Sequence, residues 1–325
     1  MKIGIVGATG EVGRTMVKVL EDLNINVTEL KLFASKKSEG KEIKFKNKGY
    51  FVEELTEEKM KDKFDYLLFS AGATISKKFA PLASEFGNIV IDNSSAFRME
   101  KDIPLVVPEI NGEIIKNYRG IIANPNCSTI QMVLALSNIQ KEFGISEIFV
   151  STYQAVSGAG NKGIQELLNQ LKGMNNITHF PEKIMNNVIP QIGPIESNGF
   201  TQEEMKMINE TKKIYSDYSI NVYPTAVRVP VLYGHSESIT FKTKKKASIL
   251  EVKELISNTK NVKYTDNLIT PLNVEGSDIT YVSRLRKMDE YTFLMWVVAD
   301  NVRVGAATNA VRILLKHFEL NHHTL

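Results

Sequence analysis

Lys2-Ile3-Gly4-Ile5-Val6 runs straight into Gly7-Ala8-Thr9-Gly10-Glu11-Val12-Gly13, and the reading of this junction decides the fold. The first five residues make a short, largely apolar strand. Three glycines form the turn, and Met16, Val17, Val19, Leu20 and Leu23 then recur on one side of a helix. Glycines between a strand and a helix let the backbone approach a pyrophosphate, while the helix N-terminus offers N–H donors and a favourable dipole. The spacing is G-x-x-G-x-x-G rather than G-x-G-x-x-G, so the strand before and the helix after carry the argument. Gly7, Thr9, Gly10, Glu11, Val12 and Gly13 are therefore the candidate dinucleotide contacts, against the plainer reading of a tight turn with no ligand.

Strand-like apolar runs follow at residues 30–33, 66–69, 88–91 and 121–123, alternating with helical segments. That alternation predicts an α/β, Rossmann-like, doubly wound parallel sheet. Ala71 and Gly72 come just after the third strand, where a dinucleotide crosses the carboxyl edge of such a sheet. An NAD site usually has Asp or Glu near the end of the second strand to hold the ribose 2′-hydroxyl. Here the strand ends in Phe33-Ala34-Ser35-Lys36-Lys37-Ser38. Hydroxyls and cations suit a 2′-phosphate, so Ser35 and Ser38 are expected to hold NADP; a solvated, lysine-rich turn is the rival.

The pattern changes after residue 127. Longer strand candidates appear at 147–155, 222–231, 237–242 and 292–299, reading as the antiparallel sheet of an α+β domain with helices on one face. Residues 163–218 between them read as helix and loop. An amphipathic helix over 306–318 is assigned back to the first domain. The expected organisation is an NADP-binding domain of residues 1–126 plus 306–325, and a catalytic and dimerisation domain of residues 127–305.

The 325 residues carry 40 basic and 37 acidic side chains, a net charge of +3, which predicts no special affinity for nucleic acid or membrane. No apolar run reaches the roughly 18 to 20 residues a bilayer requires. Glu11 and Arg14 interrupt the first apolar segment before it could act as an export signal. Cys127 is the one cysteine, so no intrachain disulfide forms and a reducing cytoplasm is expected. A lone thiol is no zinc site by itself, and no metal is expected.

Cys127 follows Asn124-Pro125-Asn126 and opens an apolar run, residues 130–136, that reads as a helix. A thiol at a helix N-terminus sits near partial positive charge that favours the thiolate, the state of a nucleophile. The plainer alternative is an inert buried cysteine. Beside a nicotinamide, a nucleophilic thiol can form a thioester that hydride reduces to an aldehyde, or run the reverse. Such chemistry needs a proton carrier. His317, His322 and His323 lie in the C-terminal tail, where surface exposure is the default, and His179 sits in a loop-like setting. His235 follows Gly234 at a turn between two strong strands, where a rigid scaffold can aim it, and it leads.

Several segments together resemble aspartate-semialdehyde dehydrogenase of the bacterial type, over essentially the full length. They are residues 7–13, Ser94-Ser95-Ala96-Phe97-Arg98, residues 107–111, Asn124-Pro125-Asn126-Cys127-Ser128-Thr129, residues 154–160, Glu203-Glu204-Met205-Lys206, residues 228–231 and Gly234-His235-Ser236-Glu237. The resemblance implies reversible, NADPH-dependent reductive dephosphorylation of L-aspartyl 4-phosphate to L-aspartate 4-semialdehyde through a cysteine thioester. That reaction feeds lysine, diaminopimelate, methionine, threonine and isoleucine synthesis. It implies Cys127 as nucleophile and His235 as acid/base catalyst. Gln154 would orient the acyl group, Arg228 hold the substrate α-carboxylate and Glu203 its α-amino group. Asn126 is carried over as a further substrate contact, and Arg98 and Lys206 as candidates for the phosphate. Ser157, Gly158 and Asn309 resemble cofactor contacts. Members of the family are dimers or tetramers, so a homodimer or tetramer is expected. Leu167, Leu168, Leu171, Ile184 and Met185 are read as either interface or core. The rival activity, N-acetyl-γ-glutamyl-phosphate reductase, tends to carry Asn-Pro-Gly-Cys-Tyr around its thiol, unlike this chain.

Overall fold

The computed structural model describes residues 1–174 and 177–322. The chain divides into two compact units, residues 1–125 with 306–325 and residues 126–305.

The first unit contains β1 (Lys2–Val6), α1 (Glu11–Asp22), β2 (Glu29–Ala34), β3 (Glu42–Phe45), β4 (Lys48–Glu54), α2 (Glu57–Met60), β5 (Tyr66–Phe69), α3 (Ala73–Glu85), β6 (Ile89–Asp92), α4 (Pro108–Asn111) and β7 (Ile121–Ala123). Its sheet order is β3-β4-β2-β1-β5-β6-β7. Every pair is parallel except the edge hairpin β3–β4. The five expected strands are β1, β2, β5, β6 and β7, and their largely apolar runs, interrupted in β2 by Lys31, are what a sheet covered on both faces demands. One face packs against α1, whose Met16, Val17, Val19 and Leu20 are buried. Leu23, expected on that apolar side, instead caps the helix and is 40% exposed. The other face packs against Phe79, Ala80 and Ala83 of α3.

The second unit contains α5 (Cys127–Phe143), β8 (Ile145–Gln154), α6 (Gly160–Leu171), α7 (Gln202–Tyr215), β9 (Asn221–Arg228), β10 (His235–Thr243), α8 (Ile249–Ser257), β11 (Val262–Tyr264), α9 (Pro271–Val274), β12 (Thr280–Lys287) and β13 (Thr292–Ala299). The sheet order is β11-β12-β13-β10-β8-β9. Around β10 and β13 the pairing is antiparallel, as expected. The β8–β9 and β11–β12 pairs are parallel instead. The physical reason at β8–β9 is the long crossover through α6 and α7, which returns the chain to the same end of the sheet. β9 ends the sheet and tolerates Pro224, which has no N–H to give a further neighbour.

Helix α10 (Asn309–His322) closes the first unit; a π-helical turn, Arg303–Thr308, leads directly into it, so helical structure is already present at the expected start, residue 306. Its Ala310, Val311, Ile313 and Leu314 join the core formed by β1, β2 and α1. His317 corrects an expectation. It is buried rather than a loose surface residue, because its two ring nitrogens meet the Tyr66 hydroxyl at 2.8 Å and the Tyr118 carbonyl at 2.9 Å. His323 lies outside the described residues. Leu167 and Ile184 are core, packed with Val156, Phe180 and Ile189; Leu168 and Met185 lean on that cluster, and Leu171 is exposed.

Candidate active site

The dinucleotide loop of the first unit is built by crowding. Gly7 has φ +85° and donates its N–H to the Phe33 carbonyl at 2.8 Å, so the turn begins pinned to the end of β2. A Cβ on Gly13 would overlap the Gly7 carbonyl, and one on Gly7 would come within 2.9 Å of the Ser70 backbone. Side chains are excluded where the first turn of α1 meets the strand, and Gly10 at its N-cap brings no capping side chain. That end of the helix presents backbone N–H groups, the donors an anion needs. Thr9 Oγ1 lies 3.4 Å from Ser38 Oγ, which ties the loop to the short turn after β2. Ser38 is buried and Ser35 exposed. Beside them is a hollow lined by Thr9, Arg14, Lys41, Glu42 and Ile43. Arg14 and Lys41 were not picked out from sequence, because a cation one residue past the glycines or three past Ser38 looks like ordinary surface. A Cβ on Gly72 would meet nothing within 4 Å, so that helix start is open. Glycines without room for side chains, an uncapped helix start and cations beside Ser35 and Ser38 together fit a phosphorylated dinucleotide.

Two residues carried over from the resemblance are engaged within the first unit. Arg98 is buried, donating from Nε to the Asn124 carbonyl and from Nη2 to the Asn93 carbonyl, each at 2.9 Å. Asn309 gives Nδ2 to the Val106 carbonyl at 3.0 Å and to Asn124 Oδ1 at 2.6 Å. Both brace the segments after β6 and β7.

In the second unit, Asn126 caps α5: its Oδ1 accepts from the N–H groups of Ser128 at 3.0 Å and Thr129 at 3.2 Å. Cys127 is thus the first helical residue, half-buried at the positive end of a 17-residue helix. Gln154 ends β8 with its Nε2 2.7 Å from Ser128 Oγ, 3.0 Å from Glu203 Oε1 and 4.0 Å from Cys127 Sγ. Glu203 Oε1 also accepts from Asn126 Nδ2 at 2.8 Å, and its Oε2 pairs with Lys206 Nζ at 3.0 Å. Burial alone would raise the Glu203 carboxyl. The nearby Lys206 charge and the three hydrogen bonds outweigh it and bring the carboxyl down to about 2, so it is anionic.

Ala155 is the pivot on the other side. Its carbonyl accepts from Arg228 Nη1 at 2.6 Å, and its N–H donates to His235 Nδ1 at 3.0 Å. Gln154 and Arg228 are register partners at the ends of β8 and β9, and His235 begins β10, so three adjacent strands deliver them to one edge. His235 is fully buried, and its Nε2 has no hydrogen-bond partner among the described residues. Burial, helped by the Arg228 charge, pushes the imidazole down to about 3. The ring is therefore neutral, and because Nδ1 accepts from Ala155, the proton is on Nε2.

Gly158 leaves space here, since a Cβ on it would come within 2.8 Å of Arg228 Nη1 and 3.1 Å of His235 Nε2. Ser157 Oγ binds Asn301 Oδ1 at 3.1 Å, and the same oxygen accepts from Gly234 N–H at 2.9 Å. Asn301 therefore ties the loop carrying Ser157 and Gly158 to the turn that presents His235. Sequence reasoning missed Asn301. It also missed Glu210, whose Oε2 accepts from Asn126 N–H at 2.6 Å, and Gly305, whose backbone packs against Cys127 so closely that a Cβ would come within 2.6 Å of the Cys127 Cβ. No local pattern marks these three.

Among the described residues no group of His, Cys, Asp and Glu could hold a metal ion. No described helix is long and apolar enough to cross a membrane. The arrangement suits acyl transfer to a thiol: a cysteine at a helix N-terminus, a primary amide within reach, a neutral imidazole with an unengaged N–H, and one buried site of each charge.

A family model described as semialdehyde dehydrogenase, NAD binding domain, matches residues 2–118. A second, described as semialdehyde dehydrogenase, dimerisation domain, matches residues 136–304. The aspartate-semialdehyde dehydrogenase of Aquifex aeolicus is 50% identical to this chain, covering 96% of both. The chain belongs to the aspartate-semialdehyde dehydrogenase family. The Bacillus subtilis aspartate-semialdehyde dehydrogenase is 42% identical over 99% of this chain and 98% of its own length. The crystal structure of aspartate semialdehyde dehydrogenase II from Vibrio cholerae, complexed with ASA, is 45% identical and superposes with a TM-score of 0.95 over 98% of each chain. The two-unit α/β fold read from the sequence is thus the fold of the aspartate-semialdehyde dehydrogenase family.

Proposed function

We propose that this chain catalyses the reversible, NADPH-dependent reductive dephosphorylation of L-aspartyl 4-phosphate to L-aspartate 4-semialdehyde. Membership of the aspartate-semialdehyde dehydrogenase family supports the reaction class. The observation that carries the residue assignments is the grouping around Ala155, which holds Arg228 and His235 beside Gln154 and Cys127.

In this reading the Cys127 thiolate attacks the acyl carbon of the substrate. The C–O bond to phosphate breaks, phosphate leaves with the bonding pair, and a thioester remains. The Arg228 guanidinium, anchored on the Ala155 carbonyl, binds the α-carboxylate, a shape its planar fork matches. The anionic Glu203 binds the α-ammonium, and Asn126 and Gln154 fix the direction of that carboxylate. Gln154 aligns the acyl group. Arg98 and Lys206 receive the phosphate. His235 acts at Nε2, the nitrogen carrying its proton, as the acid/base catalyst at the acyl oxygen. NADP is held by Gly7, Thr9, Gly10, Glu11, Val12, Gly13, Ser35, Ser38, Ala71, Gly72, Ser157, Gly158 and Asn309. When bound, its reduced form supplies the hydride that turns the thioester into the aldehyde and frees the thiol.

The working form we infer is a homodimer in the cytoplasm, where the lone thiol stays reduced. The sheet face of the second unit turned away from α5 supports the dimer. It carries Phe149 stacked on Tyr223 at 4.6 Å and Tyr153 against Trp296 at 5.6 Å, with the first three substantially exposed. Sedimentation equilibrium would detect a dimer in the native chain and a monomer in Phe149→Asp.

The deciding assay is phosphate-dependent reduction of NADP with L-aspartate 4-semialdehyde, run beside N-acetylglutamate semialdehyde. Faster turnover of the second aldehyde would replace this reading with the reductase of the longer acyl phosphate.

A further inference from the structure

β10 alternates so that His235, Glu237, Ile239 and Phe241 point to the side covered by α5, and all four are completely buried. Three of them suit that place. Glu237 does not: it lies opposite Thr152 on β8 and Val297 on β13, and among the described residues neither of its carboxyl oxygens has a hydrogen-bond partner. An ionised carboxylate so placed would be a bare charge in a dry core, a state proteins avoid by keeping the proton. The complement is Gln131, on α5 one turn beyond Cys127, the side chain that acts on the Glu237 carboxyl. Its Nε2 donates to the His235 carbonyl at 3.3 Å, while its Oε1 is buried and without a partner. One group lacks an acceptor for a proton it would have to keep, and its neighbour lacks a donor.

We propose that Glu237 is a neutral carboxylic acid whose O–H donates to Gln131 Oε1. A relay then runs from Glu237 through the Gln131 amide to the His235 carbonyl and holds the first turns of α5 at a fixed spacing from the start of β10. Glu237 is thereby a positioning residue for Cys127 and His235, at the two ends of that spacing; this step rests on their assignment above. Burial independently drives the Glu237 carboxyl well above the usual carboxylate range, against a smaller downward pull from Gln131.

The test compares Glu237→Gln with Glu237→Met. Glutamine keeps a neutral donor in the same place, so its kcat and KM stay within about twofold of the native chain. Methionine fills the space without a donor, so kcat falls by about tenfold or more while KM holds. Gln131→Leu produces the same split and carries the test if Glu237→Met does not fold. The double variant is no worse than either single, as expected of two members of one relay. The second readout is the infrared carbonyl band of a protonated carboxyl at about pH 8, present in the native chain and absent in Glu237→Gln. That band is read on resting protein without substrate, so it stands apart from the roles of Cys127 and His235. A Glu237→Gln loss as deep as that of Glu237→Met, native kcat in both Glu237→Met and Gln131→Leu, or absence of the band would overturn the proposal.

Discussion

The Ala155 N–H donates to His235 Nδ1 at 3.0 Å, and this one bond fixes which nitrogen of the ring is left to carry a proton. A donor at Nδ1 forbids a proton there, so the neutral ring carries it on Nε2 and the doubly protonated ring is disfavoured. The imidazole then works from one fixed tautomer.

The stability consequence has a definite sign. The native ring titrates near 3, whereas an unfolded histidine titrates near 6.5. Above 6.5 both states are neutral and the full stability is present. As pH falls from 6.5 toward 3 the unfolded chain takes up a proton the native ring refuses, and stability drops. Urea titrations at a series of pH values should reveal this slope, and His235→Asn should flatten it. The same variant should lose on the order of 10² in kcat. A loss of tenfold or less would leave the residue a structural role alone.

Cys127→Ala should abolish turnover and leave NADPH binding nearly unchanged. The thiol lies in the second unit, whereas the glycine loop lies in the first. Fluorescence titration with NADPH beside a steady-state assay measures both. Residual turnover near the native rate would remove the thioester from the pathway.

Glu203→Gln should raise KM for the semialdehyde by about tenfold or more, because a neutral amide cannot pair with the α-ammonium. The acid limb of stability should change as well. Native Glu203 titrates near 2 against 4.5 for its ordinary value, so its contribution is present above 4.5 and lost as pH falls toward 2. The variant should lack that loss.

Gly13→Ala should cost NADPH affinity. The new methyl overlaps the Gly7 carbonyl, so the loop must shift away from the strand end. We expect destabilisation of about 1 to 3 kcal/mol by thermal melting, a common cost of an overpacked contact. The rate of Cys127 alkylation should be unchanged, since that thiol belongs to the other unit.

Much of the fold was legible because it is written locally. Three glycines at one junction, five short and largely apolar runs and an Asn before a lone Cys each state their structure within a few residues. The β3–β4 hairpin was missed: its strands are short and charged, and its two-residue turn uses Lys46 and Asn47 at φ 48° and 62°, where glycine is the usual signal. The strands β11 and β12 were missed because β11 is only three residues long, while β12, though it forms a hairpin with β13, carries Arg284, Arg286 and Lys287 and a register shift that break its alternation. In the site, Cys127, Gln154 and His235 carry chemistry their type announces. Asn301, Glu210 and Gly305 serve by position, and position emerges only when distant segments meet. His317 went astray for the same reason, since its partners Tyr66 and Tyr118 lie about 250 and 200 residues earlier.

The core of the first unit draws on both ends of the chain, with Ala310, Val311, Ile313 and Leu314 packed among residues from β1, β2 and α1. During synthesis the amino-terminal segment leaves the ribosome long before α10 exists. Its apolar surface must wait, exposed or chaperoned, through translation of the entire second unit. The nascent nucleotide-binding half therefore cannot mature first, although its sequence comes first. A stalled or truncated message would release a sticky, aggregation-prone fragment instead of a working half-enzyme.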